Sequence, residues 1–323
     1  MLRFLSREDV IRALPMAEAI DGMKAAYRQL STGRARMPLR GRVAGEQAGV
    51  VLTMPAYLED SGALGIKLVS VFPQNTTIPI IHALVIALDP ATGQPLAILE
   101  GGALTAIRTG AGSGAATDVL ALPDASAVAV IGSGVQARTQ LAAVCAVRRI
   151  EQVFIYSPTS AHRFAEEMRG VGAIPDAITV TESANEAVQQ AQIVCTATTS
   201  AVPVFDGAAL QPGTHINAVG SYTPTMQEVD EVTLRRARIY VDSRESVLAE
   251  AGELIMALAS GAIAEEAILA EIGEVIAETA TGRTSRTDIT YFKSCGVAVQ
   301  DAAAAAIALR YAEQHDIGTF VEL

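Results

Sequence analysis

The spacing of hydrophobic and polar positions changes once along the chain, near residue 120. Before that point, Ser6 and Asp9 form a capping-box pattern, and apolar residues recur at helical spacing over 15–30. Strand-like runs follow at 49–54, 65–71, 82–88 and 95–99. The sequence at 89–93, Asp-Pro-Ala-Thr-Gly, is typical of a hairpin turn between the last two. We expect this half to begin with a helix and to be α+β with an antiparallel sheet.

From residue 125 onward, short β-rich apolar runs alternate with helical segments. The runs lie at 127–131, 152–156, 177–180, 192–196, 214–219 and 239–241, and the helices begin near Val135, Ser160, Ala184 and Glu231. Such alternation is typical of a parallel sheet covered by helices on both faces. A last helix over 297–312 is expected to return to the first domain. We therefore predict an α/β chain with one domain at 1–118 and 296–323 and another at 119–295.

The strongest local motif is G-x-G-x-x-A at 132–137, between a predicted strand and a predicted helix. Gly132 permits a tight turn, Gly134 lets the backbone approach a pyrophosphate, and Ala137 lets the helix pack close to the strand. The helix would point the amides of its first residues, Val135 and Gln136, at the phosphates. Since the alternation continues for four more units, the motif predicts a dinucleotide site rather than a plain glycine turn.

The second strand of the alternation ends at Ser157 without the Asp or Glu that usually binds the ribose 2′-hydroxyl of NAD. The hydroxyls of Ser157 and Thr159, with Arg163 nearby, suit a 2′-phosphate better. NADPH is therefore expected to be preferred over NADH. The alternative is that this segment is only a loop and a helix cap.

Two cations lie in unusually apolar surroundings. Lys67 lies inside an apolar strand, and Arg108 lies in a helix made mostly of Ala, Gly, Thr and Leu. A charge in such a setting costs several kcal/mol unless it is paired. No acid at nearby spacing is an obvious partner, so a bound anionic substrate could supply the missing charge. Alternatively, each reaches water or meets an acid from elsewhere in the fold. Asp301 is expected to cap the last helix or to pair across the domain interface.

Composition narrows the possible partners. The net charge is −11 and there is no basic block, which argues against nucleic acid or an anionic membrane as a partner. No apolar stretch approaches the length of a transmembrane helix, and the first residues lack an apolar secretory core. The three widely spaced cysteines favour a reducing, cytoplasmic location, and the four histidines show no metal-ligand spacing.

Several motifs, in order along nearly the whole chain, resemble those of the ornithine cyclodeaminase/mu-crystallin family of NAD(P)-dependent enzymes. They are MPAY at 54–57, KLV at 67–69, LTAIRT at 104–109, IGSGVQA at 131–137, INAVGS at 216–221, YVDS at 240–243, EIGEV at 271–275 and FKSCG at 292–296. The resemblance implies that 119–295 is a Rossmann domain and that the other domain binds substrate and forms a homodimer through its antiparallel sheet. It also implies that Arg40, Lys67 and Arg108 hold the carboxylate of an amino or imino acid.

The resemblance further implies hydride transfer at nicotinamide C4. Thr196, Thr198, Gly220 and Ser221 follow strand ends, where an open α/β sheet binds its ligand, so we expect them to border the nicotinamide.

The chain departs from true cyclodeaminases at the positions of their two acids. Where that subgroup has a Glu two residues before Met-Pro, this chain has Leu52, and where it has an Asp after the glycine turn, this chain has Tyr222. Neither residue acts as a carboxylate base. His82 occupies a position where the cyclodeaminases carry Thr. In these respects the chain is closer to the ketimine reductases.

We therefore predict NAD(P)H-dependent reduction of a cyclic imino acid, such as Δ1-pyrroline-2-carboxylate or Δ1-piperideine-2-carboxylate. Arg40 and Arg108 would clamp the carboxylate. Lys67 would add positive charge or polarise the imine, and His82 is a candidate proton donor or a histidine with only a structural role. The alternatives are ornithine cyclodeaminase, an alanine dehydrogenase-like enzyme, and a non-enzymatic NADP-dependent binding protein of crystallin type.

Overall fold

The computed structural model describes residues 1–322 and divides into two compact units. Unit 1 comprises residues 1–108 and 297–322, and unit 2 comprises Thr109–Gly296. The strands of the described residues, in chain order, are β1 (Leu2–Leu5), β2 (Ala35–Arg36), β3 (Gly41–Ala44), β4 (Val50–Leu58), β5 (Ala63–Val71), β6 (Ile81–Leu88), β7 (Pro95–Glu100), β8 (Ala127–Ile131), β9 (Gln152–Tyr156), β10 (Ile178–Val180), β11 (Ile193–Thr196), β12 (His215–Ala218), β13 (Ala237–Val241), β14 (Ile268–Glu271), β15 (Ile289–Lys293) and β16 (Thr319–Val321).

The α-helices begin and end at the bounds given next. They are α1 (Arg7–Ala13), α2 (Met16–Ser31), α3 (Gly101–Leu120), α4 (Val135–Val147), α5 (Ala161–Met168), α6 (Ala184–Gln189), α7 (Glu231–Arg236), α8 (Arg244–Glu250), α9 (Gly252–Ala259), α10 (Ile272–Ile276) and α11 (Ala298–Gln314).

The sheet of unit 1 has the strand order β16-β1-β7-β6-β5-β4-β2, with β3 also paired to β4. Strands β4 to β7 are antiparallel neighbours, as predicted. The expectation that the chain begins with a helix is wrong. Strand β1 comes first and pairs parallel to β7 and antiparallel to β16. A four-residue segment with three apolar positions is too short for its periodicity to separate a strand from a helix.

Helix α11 packs against the sheet of unit 1, so the last part of the chain belongs to the same unit as residues 1–108. The contact is close because the facing residues are small. A Cβ added to Gly65 on β5 would lie only 3.5 Å from the Cα of Ala302 on α11. This close packing brings the residues that flank Ala302 on α11 near those that flank Gly65 on β5.

The sheet of unit 2 is parallel throughout, with the strand order β10-β9-β8-β11-β12-β15-β13-β14. This is the predicted Rossmann-type arrangement. From β8 the chain proceeds to β9 and β10 on one side and then to β11 and β12 on the other. The order therefore reverses between β8 and β11, and an open α/β sheet binds its ligand at the carboxyl ends of the strands at such a point.

The boundary between the units falls inside α3, after Arg108, and the predicted limit of 118 lies ten residues further along the same helix. Helix α3 runs for 20 residues of mostly small side chains without a break, so the sequence carries no local signal for the division. None of the described helices is long and apolar enough to cross a membrane.

Candidate active site

In unit 1, Lys67 and Arg108 meet on a single buried carboxylate. Asp301, in the first turn of α11, lies 2.8 and 3.0 Å from the Lys67 Nζ through its two oxygens. Its Oδ1 also accepts a hydrogen bond of 3.0 Å from Arg108 Nε. The three residues are at most 5% exposed. Two cations thus share one acid, which leaves an excess of one positive charge in a buried cluster.

Gln300 holds the guanidinium of Arg108 from the other side. Its Oε1 accepts from Arg108 Nη1 at 2.8 Å and from the backbone N–H of Val297 at 3.0 Å. Its Nε2 donates to the hydroxyl of buried Tyr27 at 2.7 Å. Because both ends of the amide are engaged, Gln300 has one orientation and fixes that of Arg108.

From the sequence, a bound anion, water and an acid from elsewhere in the fold were all open as partners of Lys67 and Arg108. The acid comes from elsewhere in the fold, the alternative left open above, and Asp301 pairs within unit 1 and not across a domain interface. Sequence reasoning missed this role of Asp301 and that of Gln300. The available signal was two adjacent polar residues just before a run of five alanines at the start of a helix.

Burial lowers the pKa of Lys67 to about 8. The carboxylate of Asp301 opposes this effect, whereas Arg108 and, more weakly, Arg40 add to it. Half-buried Arg40, between β2 and β3, is therefore near enough to Lys67 to act on it electrostatically. An ammonium with a pKa near 8 can exchange its proton close to neutral pH.

The structure does not bring His82 into this cluster. His82 pairs with Ser70 across the β5–β6 ladder, whereas Lys67 pairs with Val85. Because side chains alternate between the faces of a sheet, His82 lies on the opposite face from Lys67. Its side chain is exposed, and its proposed role as proton donor stays a prediction.

The two positions that distinguish cyclodeaminases lie in different units. Leu52 is on β4, paired with Val69 of β5. Tyr222 follows β12 and is 40% exposed.

In unit 2, the turn between β8 and α4 fits a pyrophosphate. Gly132 has φ of +107°, and an added Cβ would lie 2.6 Å from the carbonyl oxygen of Ala197. A Cβ added to Gly134 would meet no described atom within 4 Å, so this backbone is open to a ligand. Gly134 is also the N-cap of α4 and makes no side-chain cap, which leaves the amides at Val135 and Gln136 for phosphate oxygens.

The turns after β8 and β9 contact each other through hydroxyls. Ser133 Oγ lies 2.8 Å from Ser157 Oγ and 2.6 Å from Ser160 Oγ. Thr159 is exposed beside them. These are the groups expected near the adenine ribose.

Arg163, the residue expected to bind a 2′-phosphate, is held by an acid. Its Nε donates to Glu167 Oε1 at 2.6 Å, and Arg138 Nη2 binds the other carboxylate oxygen. Hydrogen bonds from Arg138 and Arg163 lower the pKa of Glu167. The charge of Arg163 is therefore partly balanced, although its side chain is 78% exposed.

The turns after β11 and β12 are held by hydrogen bonds to buried glutamates. Glu228 accepts hydrogen bonds from Thr196 Oγ1 and from the amides of Thr198 and Gly220, at 2.9, 2.6 and 2.7 Å. Thr196 and Ser221 are fully buried, so their hydroxyls support the turns.

Ser221 is part of a second buried network around Lys293, the last residue of β15. The Lys293 Nζ lies 2.8 Å from Glu253 Oε1 and donates to the carbonyl and hydroxyl of Ser221 at 2.7 and 2.9 Å. Tyr291 donates to the same carboxylate at 2.9 Å. Sequence reasoning assigned no role to Lys293, Glu253 or Tyr291, since the partners are far apart along the chain.

Among residues 1–322, no group of three His, Cys, Asp or Glu side chains could hold a metal ion.

The chain is similar to several known proteins. A model of the ornithine cyclodeaminase/mu-crystallin family matches residues 2–314. The Δ1-pyrroline-2-carboxylate reductase of Bacillus cereus is 39% identical over 95% of both chains. The structure of the Thermococcus litoralis Δ1-pyrroline-2-carboxylate reductase with NADH and L-proline has a TM-score of 0.94 and 43% identity, covering 99% of this chain and 100% of that one. An archaeal alanine dehydrogenase dimer with bound NAD has a TM-score of 0.91 and 35% identity over 99% of both chains.

Proposed function

Because the chain belongs to the ornithine cyclodeaminase/mu-crystallin family, we propose that it reduces a cyclic imino acid, Δ1-pyrroline-2-carboxylate or Δ1-piperideine-2-carboxylate, to the cyclic amino acid. One observation carries the proposal: Lys67 and Arg108 share the single carboxylate of Asp301. The remaining positive charge suits one substrate carboxylate. Leu52 and Tyr222 supply no acid for cyclisation of ornithine.

Each cation has its own task in this mechanism. Asp301 and Gln300 engage Nε and Nη1 of Arg108, and its Nη2 takes the substrate carboxylate together with Arg40. Lys67 gives a proton to the imine nitrogen. A reduced nicotinamide dinucleotide, with its pyrophosphate at the turn of Gly132, would supply the hydride when bound.

The test is steady-state oxidation of NADPH and NADH with each cyclic imine, beside pyruvate plus ammonia and beside ornithine plus NAD. We expect turnover with a cyclic imine at a kcat/KM well above that for pyruvate. Efficient formation of proline and ammonia from ornithine would overturn the proposal in favour of a cyclodeaminase. Binding of cofactor without turnover of any substrate would favour the crystallin-type binding protein.

We also propose that NADPH is preferred, through Ser157, Thr159 and Arg163. Arg163→Ala is then expected to raise the KM for NADPH about tenfold and to leave the KM for NADH unchanged. Glu167→Gln, which frees Arg163, is expected to lower the KM for NADPH. Initial rates with both cofactors check this, and a wild-type KM lower for NADH than for NADPH would contradict it.

We further propose a cytoplasmic homodimer. Four apolar residues near the start of β6 are at least 43% exposed and are available for contact with a second copy of the chain, namely Ile78, Ile80, Ile81 and Leu84. Unit 1 would thus serve substrate binding and dimerisation. The free thiols of the three cysteines suit a reducing compartment. Light scattering is expected to give twice the chain mass of 33.6 kDa, and a monomer mass would reject the dimer.

A further inference from the structure

One buried side chain ties together two neighbouring turns at the ligand edge of the unit 2 sheet. Glu228 is 0% exposed and follows β12 in the chain. Its Oε1 accepts from the amide of Thr198, after β11. Its Oε2 accepts from the amide of Gly220, after β12, and from the hydroxyl of Thr196. Three donors from two turns therefore converge on one carboxylate.

These turns have no room to shift independently. A Cβ added to Gly220 would overlap the backbone of Thr198 and the carboxylate of Glu228. On the other side, Gly132 of the phosphate-binding turn packs against the carbonyl of Ala197 in the same way. The three turns are thus packed in series, in the order of their strands β8, β11 and β12.

We infer that Glu228 is a positioning residue for the nicotinamide end of the cofactor site, acting through the turns at Thr198 and Gly220. The inference rests on the proposed function only in that the chain binds a nicotinamide dinucleotide. The strand order indicates which end of the dinucleotide Glu228 affects. Glu228 acts on the β11–β12 side of the switch point, whereas the adenine side is bounded by the turn of Ser157 after β9. Losing Glu228 should therefore affect one end of the dinucleotide.

Glu228→Gln provides the test, because glutamine keeps the size of the side chain and replaces one acceptor oxygen with an NH₂ donor. At least one of the three donors then faces another donor. We expect the Kd of the protein for NADH to rise about tenfold. The Kd for ADP-ribose, which lacks the nicotinamide, is expected to stay unchanged. Isothermal titration calorimetry measures both, with thermal melting to show that the variant is folded.

Two further variants keep the test decisive. Thr196→Val removes one donor only, so a smaller rise in the Kd for NADH is expected, again without a change for ADP-ribose. Glu245→Gln, at an exposed position of unit 2, should change neither. If Glu228→Gln does not fold, Thr196→Val decides the question.

Equal losses of affinity for both ligands would overturn the inference, and so would an unchanged Kd for NADH in a folded Glu228→Gln protein. Neither measurement uses an imine. A wild-type chain that binds NADH but reduces no imine would therefore reject the proposed function and leave this result standing.

Discussion

Replacing Lys67 with methionine is expected to lower kcat for imine reduction by about 10²- to 10⁴-fold, the usual contribution of a general acid. Lys67 is 3% exposed, and burial brings its pKa down to about 8. At neutral pH it therefore carries a proton that it can release to the substrate nitrogen.

The role of Lys67 as a proton donor predicts how the rates of the wild-type enzyme change with pH. Reduction needs protonated Lys67, so its rate should fall as pH rises through about 8. Oxidation of the cyclic amino acid needs the neutral amine, so its rate should rise over the same range. Profiles of rate against pH, for reduction and for oxidation, measure this. The Lys67→Met variant should lose the change in rate near pH 8 in both profiles.

Two controls separate proton transfer from charge. Lys67→Arg keeps a cation but does not release its proton near pH 8, so it should restore KM more than kcat. Lys24→Met removes a lysine paired with Asp21 on the surface and should change neither. A Lys67→Met enzyme with kcat within about twofold of wild type would contradict the assigned role.

Asp301→Asn is expected to lower the free energy of unfolding by about 3–5 kcal/mol at pH 7. The substitution leaves Lys67 and Arg108 buried without their shared carboxylate. It also removes the charge that raises the pKa of Lys67, so the rate of imine reduction should begin to fall at a lower pH than in the wild-type enzyme.

The loss of unfolding free energy in Asp301→Asn should become smaller as pH rises. The pKa of Lys67 is about 8 in the folded chain, below the ordinary value of 10.5, so burying the ammonium costs stability at low and neutral pH. This cost is relieved as pH rises from the folded value toward the ordinary one. The loss in Asp301→Asn should therefore be larger at pH 7 than at pH 9.5 in urea unfolding.

Asp60→Asn is the matched control, because it breaks the exposed ion pair with Arg34 and should cost less than about 1 kcal/mol. A defect of Asp301→Asn as small as that of Asp60→Asn would mean that the buried cluster contributes little.

Elements with strong local patterns were predictable from the sequence. Strands β8 and β9 have the predicted bounds because apolar, β-rich runs are interrupted there by turn residues. Strand β15, central in the same sheet, was missed. It ends in Lys293, whose charge is balanced by Glu253, 40 positions earlier in the chain. A single sequence does not reveal such a pairing.

The G-x-G-x-x-A turn could be predicted from local sequence, since its strand, glycines and helix are contiguous. Local sequence also showed that Lys67 and Arg108 are charged residues in apolar segments. Tertiary structure alone decided what those two cations bind. Asp301 is 234 residues from Lys67 and reaches it only because α11 returns to unit 1 and packs closely at Gly65. Likewise, strand register placed His82 on the opposite face from Lys67. Contacts across such separations depend on how elements pack, which residue spacing does not encode.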